Sequence, residues 1–121
     1  MKDNRPTRIV FIDQAREEFE LLNKIIGEQT AKGIKNSDEI RLLKSISQKV
    51  ELIRINPQFG NKVAKHQIPK QLNITNLFRV ELTGYWRMLY TLKGDEIEIV
   101  AIVLYLIDHG RYNKLFGYKD R

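Results

Sequence analysis

The sequence predicts an α+β fold, and three observations support that class. The chain has 121 residues, 42% of them hydrophobic, which suits one core and is too short for two ordinary domains. Apolar residues recur at spacings of three and four through the first half, the period of amphipathic helices. From residue 78 they alternate every second position, the period of strands. We expect residues 1–121 to form one domain, with an antiparallel helical hairpin packed on a mainly antiparallel β-meander.

The chain begins with a predicted strand and a first helix. Arg8–Ile12 is rich in β-branched residues, as strands are. Asp13 can then cap a helix that ends at Gly33. Its apolar stripe consists of Phe19, Leu22 and Ile26.

A second helix follows after a short connection. Asn36 and Glu39 have the spacing of a capping box, and Pro57 ends the helix. Its apolar stripe consists of Ile40, Leu43, Ile46, Val50 and Ile53. Because only the residues around 32–35 join the two helices, we expect them to be antiparallel neighbours with facing stripes.

The second half predicts strands. Residues 60–76 form a loop-rich edge with a short strand near Val63, and a strand at 78–82 then turns at Thr83 and Gly84. The next strand spans 85–92 and the third spans 96–105, whose continuous apolar character suits a strand covered on both faces.

Alternation assigns the faces of the middle strand. Trp86, Met88 and Tyr90 form its apolar side, so Arg87 points away from the helices. Residues 108–119 form a basic and aromatic tail, which we expect to fold back on the sheet through Leu115 and Phe116.

Charge and composition narrow the class of partner. The formal charge of +6 favours polyanionic partners. The absence of cysteine removes thiol chemistry and fits a reducing compartment. Met1–Arg8 lacks the apolar core of a signal peptide, and the apolar run 97–107 is about half as long as a membrane span. We therefore expect a cytoplasmic protein that makes no membrane contact.

The basic residues are unevenly distributed. Between residues 54 and 93, Glu81 is the only acid. The bases in the same range are Arg54, Lys62, Lys65, Lys70, Arg79, Arg87 and Lys93. Positive potential should therefore concentrate on the sheet edge and its loops.

The element order and the segment Phe78–Tyr90 resemble the RelE/ParE toxins of type II toxin-antitoxin systems. Members of that superfamily commonly carry a hydrophobic strand, a turn with Gly or Asn and an aromatic residue, then Arg, two aliphatics and Tyr. Gly84, Tyr85, Arg87, Leu89 and Tyr90 match that pattern. A second match is the apolar strand Ile99–Ile107 followed by a basic and aromatic tail.

For the RelE-like branch, the resemblance implies a ribosome-dependent endoribonuclease that cleaves messenger RNA without a metal ion or cofactor. The 2′-hydroxyl would attack the adjacent phosphate. The implied partners are the ribosome with its message and a cognate antitoxin, and no small-molecule cofactor is expected.

The resemblance also implies the site. Arg87 corresponds to the hairpin arginine and is the first candidate for phosphate stabilisation, since a guanidinium holds two oxygens in a planar fork. The other catalytic candidates are Arg79, His109, Arg111 and Tyr118. The candidate RNA-binding residues are Lys62, Lys65, Lys70, Tyr85, Tyr112 and Lys119. No metal ligand set is expected, because the two histidines are isolated.

Several assignments stay open at this level. Tyr112 rivals Tyr118 as the base, and Arg111 can instead pair with Asp108. Glu81 stands where many relatives carry lysine, and it can act as a base or neutralise Arg79 across the strand. The alternative functions are a ParE-like inhibitor of DNA gyrase and a catalytically inactive binding module of the same fold.

Overall fold

The computed structural model describes residues 3–118 as an α+β domain with three α-helices and a five-stranded mixed sheet. The elements are β1 (Thr7–Phe11), α1 (Asp13–Ala31), α2 (Asp38–Ile55), β2 (Asn61–Lys62), β3 (Phe78–Leu82), β4 (Trp86–Gly94), β5 (Ile99–Asp108) and α3 (His109–Phe116). Short 3₁₀ turns span Lys65–Gln67, Lys70–Leu72 and Thr83–Tyr85.

The sheet order is β1-β5-β4-β3-β2. β1 runs parallel to β5, and the other neighbouring pairs are antiparallel. α1 packs on β5, α2 packs on β1 and β3, and the two helices contact each other. One face of the sheet is therefore the helix side, with a core that includes Ile46, Met88, Tyr90 and Val103.

The opposite face carries a smaller core that buries Leu77, Leu89, Ile107 and Tyr112. The prediction for β4 is confirmed, since Met88 and Tyr90 lie in the helix-side core and Leu89 lies in the other. Below, the face that carries Leu89 and Arg87 is called the outer face.

Both predicted helix starts need correction. The residue before α1 is Ile12, which makes no side-chain cap; Asp13 is the first helical residue, with a φ of 49°. At α2 the cap is Ser37, whose hydroxyl accepts a hydrogen bond from the backbone N–H of Ile40 at 3.1 Å. Asp13 and Asn36 were plausible caps because Asp, Asn and Ser perform that function about equally well.

The C-terminal segment was predicted as a tail, and residues 109–116 of it form a helix. Asp108 caps α3 by accepting a hydrogen bond from the backbone N–H of Arg111 at 2.9 Å. Gly117, with a φ of 74°, ends the helix, and the N–H of Tyr118 bonds to the carbonyl of Asn113 at 2.8 Å. Leu115 and Phe116 pack in the outer core, as the sequence predicted.

A β-bulge in β5 shifts its alternation. Leu89 pairs with Tyr105 but Tyr90 pairs with Val103, which leaves Leu104 as the extra residue. Gln14 then exchanges two hydrogen bonds of 2.9 Å with the backbone of Leu106. Because of the bulge, Val103 and Leu106 both face the helix side, while Ile107 faces outward just before α3 begins.

The chain leaves α2 through a buried hydrogen bond network. The Tyr90 hydroxyl donates to the carbonyl of Pro57 at 2.7 Å and accepts from the N–H of Gly60 at 2.9 Å. A Cβ at Gly60 would lie 3.0 Å from the Tyr90 ring and 3.1 Å from the carbonyl oxygen of Arg79, so any other residue there would have to push these groups apart. Burial raises the pKa of the Tyr90 phenol, which keeps it protonated as the donor.

The turn between β4 and β5 is held by Asp95, so its stability should depend on pH. Backbone N–H groups of Glu98 and Ile97 donate to Asp95 and hold the pKa of its carboxyl below the ordinary value of 3.8. A depressed folded pKa means that the contribution of Asp95 is complete above 3.8 and is lost as pH falls through the lower, folded value.

We therefore expect the amide proton shifts of Ile97 and Glu98 to titrate together, with a midpoint below 3.8. NMR spectra recorded across an acid titration measure this directly. Asp95→Asn is the control, and its amide shifts should not titrate in that range. A midpoint at or above 3.8 would contradict the proposed turn.

Candidate nucleic-acid interface

The outer face of the sheet brings Arg87 against Tyr112 of α3. Arg87 lies on β4 opposite Ile107, with its Cζ 4.3 Å from the centroid of the Tyr112 ring. Tyr112 is buried, with 3% of its surface exposed. A guanidinium over an aromatic face is a cation–π contact, and it holds Arg87 in place.

Arg79 of β3 reaches the same tyrosine. Its Nη1 donates to the Tyr112 hydroxyl at 3.1 Å, and its Cζ lies 5.9 Å from the ring centroid. The Nε of Arg79 is buried and has no hydrogen bond partner among residues 3–118. Such an unsatisfied donor costs about 1–3 kcal/mol, which an acceptor on a ligand could offset.

His109, the first residue of α3, completes the contacts of Arg87. Arg87 Nη1 lies 3.0 Å from His109 Nδ1, and Asn113 Nδ2 lies 3.2 Å from His109 Nε2. Residues 109, 112 and 113 share one face of a helix because they are three and four positions apart. We call Arg79, Arg87, His109, Tyr112 and Asn113 the arginine cluster.

No carboxylate among residues 3–118 forms a salt bridge with the two arginines of the arginine cluster, Arg79 and Arg87. Glu81 is the cross-strand neighbour of Arg87, yet it forms no ion pair with a described residue. The predicted neutralisation of Arg79 by Glu81 is therefore wrong, because Arg79 turns to Tyr112 instead.

Arg111 was a catalytic candidate, but the structure does not bring it to Arg87. Its guanidinium pairs with Asp108 at 3.2 Å and with Glu18 of α1 at 3.4 Å. It also lies over the Trp86 ring, with 5.2 Å from Cζ to the centroid. Glu18 and Trp86 place Arg111 at the helix side, where two carboxylates compete with any phosphate.

Tyr118, the other candidate base, lies at the end of the described chain. Its ring is 5.6 Å from that of Phe116 and 6.3 Å from that of Tyr112. It is 46% exposed, and it contacts the described residues through its ring and its backbone N–H. Tyr112 is therefore the tyrosine that both arginines contact.

Tyr85 stands at the tip of the β3–β4 hairpin. It is 86% exposed and has a φ of 62°, directly after Gly84 at 69°. A positive φ is an outlier for a bulky residue, and strain of this kind collects at functional sites. An exposed aromatic ring two residues from Arg87 is suited to stack on a nucleobase.

The predicted RNA-binding lysines are more widely spread over the surface than the residues of the arginine cluster. Lys65 and Lys70 are exposed on the 3₁₀ turns of the segment that covers part of the outer core. Lys62 pairs with Phe78, whose side chain lies in the helix-side core, so the register places Lys62 on the helix side of the edge. Lys119 lies outside the described residues.

Asn113 belongs to the arginine cluster, but the expectation of an irregular tail over residues 108–119 leaves it out. A helical signal was present, since Asp108 can cap and residues 109, 112, 113 and 116 lie at helical spacing. That spacing places His109, Tyr112 and Asn113 on one face.

A second concave surface in the described part of the chain is rich in carboxylates. This groove of about 300 Å³ lies between α1, α2 and the β3–β4 turn. Apolar side chains line it together with Glu18, Asp38, Glu39 and Arg41, and Arg41 is paired with Asp38. No group of three or more His, Asp or Glu residues within 3–118 is arranged to hold a metal ion. No helix in this range has the length and apolarity needed to cross a membrane.

Comparison with protein-family models, with curated protein sequences and with solved structures gives no match to this chain. A functional assignment therefore rests on the fold and on the arginine cluster.

Proposed function

We propose that the protein is a cytoplasmic toxin of the RelE/ParE superfamily, in its RelE-like branch, which cleaves messenger RNA on the ribosome. One observation carries the proposal: two guanidinium groups without a carboxylate partner among residues 3–118 converge on one tyrosine at the outer face. Uncompensated positive charge is costly for a fold and is useful for holding a phosphate.

The proposed reaction is an internal transfer of the phosphoryl group. The 2′-oxygen attacks the adjacent phosphorus while the bond from phosphorus to the 5′-oxygen breaks. The products are a 2′,3′-cyclic phosphate and a free 5′-hydroxyl. A base must take the proton of the 2′-hydroxyl, an acid must protonate the 5′-oxygen, and cations must stabilise the phosphoryl oxygens.

The arginine cluster offers groups for these roles. Arg87 and Arg79 provide planar donors for the phosphoryl oxygens, and Arg79 is better placed than Arg111 because no carboxylate among residues 3–118 pairs with it. Tyr112 is the candidate base, since its hydroxyl already accepts from Arg79. His109 is exposed and can return a proton to the leaving oxygen.

A second candidate function is RNA binding without cleavage. The burial of Tyr112, with 3% of its surface exposed, favours it, because a base must reach the 2′-hydroxyl. On this alternative the arginines would hold phosphate and Tyr85 would stack on a base, with no reaction following.

A cleavage assay on programmed ribosomes tests the proposal. The full chain is added to ribosomes that carry a defined message, and primer extension maps the ends of the message. Cleavage at the decoding site, absent on naked message and with Arg87→Ala, supports the proposal. Intact message that is nevertheless bound supports the second candidate.

A supercoiling assay with DNA gyrase distinguishes the proposed nuclease from the alternative, a ParE-like inhibitor of gyrase. The proposed nuclease should leave supercoiling unchanged at concentrations that cleave the message fully. Gyrase inhibition without cleavage would overturn the proposed nuclease.

We also expect an antitoxin that covers the arginine cluster. An acidic segment that folds on binding can neutralise both arginines and occupy the outer face. The affinity should fall as salt rises, because part of it is electrostatic. Co-purification of the chain with the product of the neighbouring reading frame, in low and in high salt, measures this. A chain isolated from its native operon with no partner at low salt would contradict the expectation.

A further inference from the structure

The imidazole of His109 lies between two hydrogen bond donors. Arg87 Nη1 is 3.0 Å from its Nδ1, and the amide nitrogen of Asn113 is 3.2 Å from its Nε2. A neutral imidazole has one acceptor nitrogen and one N–H group, so it cannot accept at both positions. One of its two neighbours must therefore present an acceptor.

The two neighbours differ in that ability. A guanidinium has five N–H donors, has no acceptor and stays protonated, so Arg87 can only donate. The Asn113 amide can turn by half a rotation and present Oδ1 in place of Nδ2. The bond from Arg87 therefore decides where the proton of His109 lies.

We propose that Arg87 fixes His109 as the neutral imidazole with its proton on Nε2, and that protonation of Nδ1 releases Arg87 to hold an anion jointly with the imidazolium. In the neutral state Nδ1 accepts from Arg87, Nε2–H donates to Asn113, and the guanidinium stays over the Tyr112 ring. In the protonated state Nδ1–H faces an N–H of Arg87, so donor opposes donor and the two positive charges repel. Asn113 is a positioning residue in this arrangement.

The charged surroundings of His109 favour an anion as the third partner. Arg87 faces it from β4, and Arg79 and Glu81 lie on the same face of β3. Asp108, which precedes His109, is already bonded to the backbone and the guanidinium of Arg111. An oxyanion that bridges imidazolium and guanidinium removes the repulsion between them.

Anion binding is therefore coupled to proton uptake. The imidazolium must form before it can hold an oxyanion jointly with Arg87, so the affinity for an oxyanion should rise as pH falls, by up to about tenfold per pH unit. This inference deepens the proposed function, because the oxyanion of RNA is a phosphate, but the tautomer of His109 stands independently of any cleavage.

Nitrogen NMR of the histidine rings tests the first half of the proposal. The full chain carries His66→Gln, which leaves His109 as its single imidazole. At high pH we expect one tautomer, with the proton on Nε2. Asn113→Asp should keep that tautomer, since a carboxylate accepts from Nε2–H, and Arg87→Leu should produce a mixture. A mixture in the parent, or a proton on Nδ1, would overturn the proposal.

Sulfate tests the second half of the proposal, because it stays fully ionised while a histidine side chain changes its charge. We expect saturating sulfate to move the titration midpoint of His109 up by about one pH unit relative to chloride at equal ionic strength, which corresponds to a tenfold linkage. The shift should disappear in Arg87→Leu. An unmoved midpoint in the parent refutes the coupling, whereas a failed cleavage assay with the midpoint shift intact refutes only the nuclease.

Discussion

Replacing Arg87 with alanine should reduce cleavage of ribosome-bound message about a hundredfold to a thousandfold, the usual cost of removing one donor that stabilises transition-state charge. Arg87→Lys should recover only part of this loss, because an ammonium keeps the charge but lacks the planar fork. The rate of message cleavage at saturating ribosome concentration is the measurement.

Arg87→Ala should also lower the free energy of unfolding by more than the loss of an ordinary exposed strand arginine would. The sequence alone suggests a change of no more than about 0.5 kcal/mol in the free energy of unfolding. The structure adds a cation–π contact with Tyr112 and a bond to His109, so we expect a loss of about 1–2 kcal/mol. Denaturant unfolding measures it.

A matched control is Arg16→Ala. Arg16 is an exposed arginine of α1 that pairs with Glu20 at 3.1 Å, outside the arginine cluster. The Arg16→Ala variant loses the same charge as Arg87→Ala. Its cleavage rate and its free energy of unfolding should stay close to those of the parent. Equal cleavage by the Arg87→Ala variant and the parent would show that Arg87 is not in the site.

The second large effect on the cleavage rate is expected from a change in Tyr112, the candidate general base. Tyr112→Phe should lower the cleavage rate about a hundredfold to ten-thousandfold, the usual contribution of general base catalysis. The phenyl ring keeps its contact with Arg87 and its stacking on Phe116, 4.4 Å away, so the fold should persist. Arg79 loses its acceptor, which should cost about 1 kcal/mol of stability.

Tyr118→Phe is the matched control for this prediction. The same hydroxyl is removed from a tyrosine of the same aromatic group, and the parental rate is expected. If Tyr118→Phe loses activity while Tyr112→Phe keeps it, the base is Tyr118. If both variants keep the parental rate, no tyrosine of α3 or its end acts as the base.

Local patterns account for much of the fold. Period-two alternation in β4 predicted that Met88 and Tyr90 face the helices and that Arg87 does not, and both cores confirm it. The apolar stripes of α1 and α2 likewise predicted their buried faces, since Leu22, Ile46 and Ile53 lie in the helix-side core. These assignments hold because side-chain direction in a helix or strand follows from the period of the backbone.

Two features that the sequence did not predict depend on contacts between residues far apart in the chain. The bulge at Leu104 changes the phase of β5, and no local signal marked it among the apolar residues of that strand. The ion pair of Arg111 with Glu18 joins residues far apart in the chain, so composition near the tail could not reveal it. Helix α3 is the exception, because Asp108 and the spacing of residues 109, 112, 113 and 116 carry a local helical signal.

The sequence by itself determined the α+β class, the separation of the two faces of β4 and the position of Arg87 opposite the helices, because each follows from local periodicity. Only the tertiary structure decided that Arg79 rather than Arg111 joins Arg87, and that Tyr112 rather than Tyr118 lies between them. The physical reason is that these partners are chosen by how α3 packs on the sheet. That packing depends on the bulge in β5, the Asp108 cap and the outer core together.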